Sequence, residues 1–361
     1  MFAQAYGLDC KVCHTMVPAL NAYGRYVQRS MYGALDPEQY KGTFPFWIGE
    51  QVNYDSTSDS PKAQFGNLAA HYVGVYPAWT SHVQQWIMQN NDTGGPFDTG
   101  WVSYNNLFKQ SGHIVIGKMP TPGPSFLSMW FDIAGFNPPA MTIGEHAELV
   151  GANRWGAKFN YSNTKMVGEA GYYGSTGDLN GATDWSNNND KGVAYHLAFG
   201  NATKPVVGGI VGNFGSFPLA EGGVDRYGVF GAYIQADPGG IFPGALVYWQ
   251  NGNDGNPTAS GVGAHSNGYT AELFAPVIAH KDDIMVSVRR EMTNDGLGTI
   301  TQYGYANLSV KIYKYLRAYG QITSTSGSTP TYQYMLWWTT PLVGKGMPGP
   351  LSQYNQMNAR R

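Results

Sequence analysis

From residue 44 to residue 341 the chain repeats one pattern: segments of about ten residues in which apolar and polar side chains alternate, broken by clusters of Gly, Asn, Asp, Ser and Pro. Period-two alternation puts successive side chains on opposite faces of a strand. Candidate strands fall near 44–55, 65–76, 81–90, 101–108, 112–119, 151–162, 165–175 and 192–201. A second set falls near 205–215, 225–236, 242–252, 267–279, 283–294, 301–312, 314–324 and 331–341. That is about sixteen, an even number. The connections alternate too. Long ones (55–64, 91–100, 120–150, 176–191, 216–224 and 251–266) interleave with short ones (77–80, 111–112, 163–164, 203–204 and 279–282), and the alternation weakens after residue 294. Short turns at one rim and long loops at the other describe an outer-membrane β-barrel. A soluble sandwich has no reason to keep that parity.

Single strands show the two faces. In 112–119, Ile114 and Ile116 share one face, opposite His113, Val115, Gly117 and Met119. In 193–199, Val193, Tyr195, Leu197 and Phe199 oppose Ala194, His196 and Ala198. The apolar set is expected to face lipid and the small or polar set the lumen. Trp79, Trp101, Trp155, Trp249, Trp337 and Trp338 near strand ends suit aromatic girdles. Composition agrees: 48 Gly and 25 Tyr accompany only 13% charged residues, against about a quarter in an ordinary soluble chain. A formal charge of -2 leaves no basic footprint for nucleic acid. No run of about 18 apolar residues offers a transmembrane helix, so outer-membrane lipid is met by strands.

The first 43 residues are different. Cys10-Lys11-Val12-Cys13-His14 is a C-x-x-C-H run, which reads as a c-type haem attachment site. Two thiolates add across the haem vinyls, and the histidine that follows is placed to bind the iron from below. Zinc needs about four N/S ligands, and these are the chain's only two cysteines. A thioredoxin-like pair wants a βαβ context that the flanks do not supply. One covalently attached haem c per chain is the expectation. Haem is attached outside the cytoplasm, so an export signal, absent before Cys10, is expected to have been removed.

Residues 15–32 follow with helical spacing from about Pro18: Leu20, Tyr23, Val27 and Met31 share a face, while Arg25, Gln28 and Arg29 fall on another. Arg25 and Arg29 are candidates for the haem propionates, or for solvated or wall-paired cations. His14 is the proximal iron ligand. For the distal position Met119, in Lys118-Met119-Pro120, is the first candidate, with Met347, His113 and His146 as alternatives. Methionine raises the reduction potential and a second histidine lowers it. The long connection 120–150 follows the fifth strand, and in sixteen-stranded porins that loop folds into the lumen. Here it is positioned to cover the haem. Asp55 with Asp59, and Glu145 with His146 and Glu148, gather acidic side chains in the long connections, where solvated loop surface explains both groups.

Phe2-Ala3, Gly7, Cys10-x-x-Cys13-His14, Pro18-x-Leu20 and Tyr23-Gly24-Arg25, followed directly by barrel strands, resemble the fused outer-membrane cytochrome–porins of iron-oxidising bacteria. That family runs F-A-R-Q-x-G, C-x-x-C-H, L-x-P-F-G-R; Tyr23 stands here for its Phe. The specific part covers about the first 32 residues, and the remainder matches in architecture alone. The resemblance implies a single-haem outer-membrane protein that takes electrons from extracellular Fe(II) and passes them to a periplasmic c-type cytochrome or another soluble electron carrier. Three regions are expected: a haem segment (1–43) plugging the lumen, a barrel (44–342) whose even strand number puts both termini on the short-turn, periplasmic side, and a periplasmic tail (343–361). The acidic groups of the long connections would then be transient contacts for Fe(II). Readings from other classes are a porin whose haem-bearing plug docks a partner cytochrome, and a peroxidase-like haem enzyme with an open sixth position.

Overall fold

The computed structural model describes residues 6, 8–9, 12–14, 20–36, 38, 46–55, 63–89, 92–93, 97–124, 153–174, 191–200, 206–218, 224–236, 244–255, 264–278, 283–313 and 316–341. Alternating segments become strands because one pleated face can be apolar and the other polar. In chain order these are β1 (Phe46–Asp55), β2 (Ala63–Val75), β3 (Trp79–Gln89), the dipeptide β4 (Asp92–Thr93), β5 (Phe97–Leu107) and β6 (Gly112–Pro120). Next come β7 (Asn153–Ser162), β8 (Met166–Tyr173), β9 (Lys191–Phe199), β10 (Val206–Pro218), β11 (Val224–Ala236) and β12 (Gly244–Asp254). The last are β13 (Ala264–Pro276), β14 (Ile284–Asn294), β15 (Ile300–Tyr313), β16 (Leu316–Thr325) and β17 (Thr331–Pro341).

β4 only extends the end of β3, through Met88↔Thr93 and Gln89↔Asp92. The other strands form one antiparallel ring in which each pairs with its neighbour in sequence. The ring closes where β1 meets β17, from Trp47↔Pro341 to Asp55↔Gln333. That register also puts the start of β1 and the end of β17 at the same rim, called here the terminal rim. Connections at that rim (76–78, 108–111, 163–165, 200–205, 237–243, 277–283 and 314–315) are short. The longest connections, 121–152 and 174–190, lie at the opposite rim, and the parity fades toward the C-terminus as expected. Local chemistry makes the tight turns: Asn163 Oδ1 accepts from the backbone N–H of Lys165 (2.8 Å) and Met166 (3.0 Å). At 108–111 the expected two-residue turn is longer, with Phe108, Lys109 and Gln110 all at positive φ.

The two faces separate as the alternation predicts. On β6, Ile116 is 62% exposed while its neighbour Val115 is 0% exposed. On β9, Val193 and Phe199 are exposed and Ala194, His196 and Ala198 buried. Trp79 and Trp249 are exposed on the outer face. Trp101 is not part of a girdle: it shares the phase of Thr99, Ser103 and Asn105 on β5, which is the inward one. The Trp337 and Trp338 side chains lie outside the described residues.

Helix α1 (Ala22–Arg29) is shorter than the spacing predicts. Asn21 caps it, its side chain accepting from Gly24 N at 2.9 Å. Beyond Arg29, Ser30 Oγ donates to Val27 O (3.0 Å) and accepts from Ala34 N (3.1 Å), and Met31 and Tyr32 turn the chain at positive φ. Tyr23, Val27 and Met31 are buried as expected, but Arg25 and Arg29, expected on another face, are also only 3% and 5% exposed. Six of the eight helix residues are buried, and Ala22 and Gln28 are half-buried, so protein surrounds most of the helix. The lumen supplies that surround.

Cys13 and His14 beside a helix held inside a barrel

Cys13 and His14, both half-buried, precede α1 and fold back against it. Asn21 N donates to Cys13 O at 2.9 Å, and Asn21 Nδ2 donates to Val12 O at 3.1 Å. His14 forms an isolated antiparallel bridge with Leu20. Gly24 is what permits the approach, since a Cβ there would stand 2.0 Å from Cys13 O. Cys13 packs on an apolar cluster that includes Leu8, Val12, Tyr23, Tyr26 and Val27, closed on the wall side by Val73 and Val75 of β2. Cys10 lies outside the described residues, as do His146, Met347 and the Fe(II) candidates Asp59, Glu145 and Glu148. Among the described residues no three His, Cys, Asp or Glu side chains converge as a metal site.

The wall grips the far end of α1. Asn160 on β7 donates through Nδ2 to Arg29 O at 2.7 Å, and Thr80 on β3 donates through Oγ1 to Met31 O at 2.6 Å. Because the Thr80 hydroxyl proton goes to that carbonyl, Oγ1 accepts from Asn105 Nδ2 (3.1 Å). This fixes the Asn105 amide: Oδ1 accepts from Ser103 Oγ (2.6 Å) and from His113 Nδ1 (3.0 Å). His113 is therefore the Nδ1–H tautomer when neutral, with the lone pair on Nε2. Its ring lies against Gly33, where a Cβ would be 2.7 Å from His113 Cε1. Beside Asn160, Glu169 accepts from Asn160 Nδ2 (3.1 Å), Lys158 Nζ (2.7 Å) and His196 Nδ1 (3.1 Å), and His196 Nε2 meets the Tyr233 hydroxyl at 2.8 Å.

Of the distal candidates, His113 meets the N-terminal segment at Gly33. Met119, at the other end of β6, is fully buried in a cluster with Met31 and Tyr32 of that segment and with Trp101, Val115 and Tyr173 of the wall. Tyr32 links the segment to the wall by stacking on Trp101 (5.7 Å between ring centroids), and His82 lies 6.0 Å from Tyr32 and 5.6 Å from Trp101. Sequence reasoning missed Thr80, Asn105, Asn160 and His82. Their one signal was a polar residue on the inward phase of a strand.

Arg25 donates through Nη1 to Leu20 O at 2.7 Å. Burial, and then the Arg29 cation, hold its guanidinium below the ordinary arginine value, while Tyr233 and Glu272 on the wall act the other way. Two cations buried one turn apart form a setting that carboxylate groups would stabilise.

Ring closure, an apolar outer belt and a polar, occupied interior define an all-β transmembrane barrel of the outer-membrane porin type. Solved structures agree on the fold. A loop-deletion mutant of OmpT, an outer-membrane protein of Vibrio cholerae, superposes with a TM-score of 0.56 at 12% identity, over 82% of this chain and 99% of that one. An anion-selective porin from Comamonas acidovorans gives 0.56 at 12% identity, over 82% and 98%. A porin refined at 1.8 Å gives 0.55 at 13% identity, over 82% and 99%. No protein-family model matches the chain, and no curated protein does.

Proposed function

We propose that this chain is a one-piece electron conduit of the bacterial outer membrane, carrying one covalent haem c on its N-terminal segment. The observation that carries the reading is the position of Cys13-His14, docked on a helix that the barrel wall holds inside the lumen. The residues present suit the group: Cys13 brings a thiol, His14 a half-exposed imidazole, and Arg25 and Arg29 two buried cations. Bound haem c would supply one-electron exchange between its ferric and ferrous states. Cys10 and Cys13 would hold it by thioether bonds, with His14 as an iron ligand and the two arginines facing its propionates. The cluster around Val12, Tyr23 and Val27 keeps water from the Cys13 side.

In this reading both chain termini, and the rim of short turns that carries them, face the periplasm, where a c-type cytochrome or another soluble carrier collects the electron. Extracellular Fe(II) is the donor, and no iron needs to cross. The test is an optical spectrum of the purified protein in detergent, before and after anaerobic addition of Fe(II). A low-spin c-type spectrum that turns reduced within seconds supports the conduit. A haem that stays oxidised with Fe(II) yet reduces with dithionite overturns Fe(II) as donor, and a five-coordinate, high-spin spectrum moves the reading to a peroxidase-like enzyme.

A further inference from the structure

We infer that the barrel is closed to solutes, and that the closure is a built-in latch between its wall and the backbone of its own N-terminal segment. Inward side chains from strands right round the ring, Ser103, Asn160, His196, Val211, Thr270 and Ser309, are none of them more than 1% exposed. An aqueous channel would wet them, as the outer face is open at Ile116. The interior is instead occupied by protein.

The N-terminal segment is fixed there by donors reaching from β3 and β7 to two carbonyls just past the end of the helix's regular hydrogen bonding, Met31 O and Arg29 O. Arg29 O is one of the last carbonyls of the helix, which have no intrahelical partners, and Met31 O lies two residues beyond, where the chain turns. Each donor is itself braced. Thr80 is held by Asn105, and Asn160 by Glu169, which Lys158 and His196 hold in turn. Gly33 lets the segment seat against His113, and Tyr32 stacks on Trp101. Contacts of this kind select one seated position of the segment, whereas apolar packing alone would let it slide. A sealed barrel suits a conduit, because electrons need no water path.

The latch is tested by conductance of the full-length holoprotein in planar lipid bilayers with potassium chloride. The wild type is expected to show no porin-like steps. Thr80→Val combined with Asn160→Leu removes both buried hydrogen bonds, and openings should become about 30-fold more frequent. Heat-modifiable migration on a gel confirms that this variant keeps its barrel. Gly33→Leu, which displaces the segment by bulk, serves as the second variant and should also open the pore. Cys10→Ser with Cys13→Ser abolishes haem attachment and should stay closed. Steady ohmic current through the wild type overturns the inference. Current that appears only in the cysteine variant also overturns it, by assigning the seal to the haem. Either result leaves the optical test of Fe(II) oxidation standing on its own.

Discussion

Gly24 lies directly against the carbonyl oxygen of Cys13: a Cβ at position 24 would stand 2.0 Å from that oxygen and 2.9 Å from its carbon. Backbone on backbone cannot yield as a flexible side chain can. The glycine of the Tyr23-Gly24-Arg25 run is therefore what lets the haem motif lie on the first turn of α1.

Gly24→Ala should separate the motif from the helix and break the Asn21 N to Cys13 O hydrogen bond. Haem bound per barrel, measured by pyridine haemochrome absorbance, should fall severalfold while far-ultraviolet circular dichroism keeps its β signal. Unchanged haem content would show that attachment does not need this contact.

In the proposed reading Met119→Ala tests the distal ligand: removing an iron ligand should convert the haem from low to high spin. Met119 is also buried with Met31, Trp101 and Tyr173, so truncation there should cost about 2–5 kcal/mol of packing, read as a lower unfolding midpoint. Conversion of the haem to high spin would bring Met119 to the iron. His113→Ala is the contrasting variant: it removes one of the two donors to Asn105 Oδ1 and opens space at Gly33, so a spectral change there belongs on that side.

The barrel was legible because its signal is local. Ile114 and Ile116 against Val115 and Met119 is a pattern carried within a few residues, and the connection lengths assign rims without any tertiary information. Trp101 was misplaced because an aromatic near a strand end suits either face, and only the phase of Thr99, Ser103 and Asn105 decides. Arg25 and Arg29 read equally well as propionate partners or as solvated or wall-paired cations, and their burial became visible only with the wall around them. Asn160 gave no sign of its partner, because Arg29 is 131 residues away and hydrogen bonds of that reach leave no periodic trace.

Ile116→Lys tests the outer face against its neighbour. Ile116 is 62% exposed and lies well inside β6, where lipid is expected. A lysine on the lipid face costs about 2–4 kcal/mol near the bilayer midplane and less toward either interface. The urea midpoint in lipid vesicles should drop accordingly. A midpoint equal to the wild type would place that face against water or protein.

Glu169→Ala probes the wall beneath the helix. The carboxylate sits between Lys158 Nζ at 2.7 Å and His196 Nδ1 at 3.1 Å, with all three side chains buried. Removing it leaves the Lys158 ammonium buried without its counter-charge, a change that costs about 3–5 kcal/mol. It also removes the brace that orients Asn160 toward Arg29 O. Glu169→Gln keeps an acceptor for Lys158 and Asn160 but not the charge, so its loss should be smaller. Heat-modifiability midpoints should rank wild type above Glu169→Gln above Glu169→Ala. If the two variants melt together, the charge rather than the hydrogen-bond geometry holds this part of the wall. If neither differs from the wild type, Asn160 is positioned by packing alone, and the latch would then rest on Thr80 and the Gly33 contact.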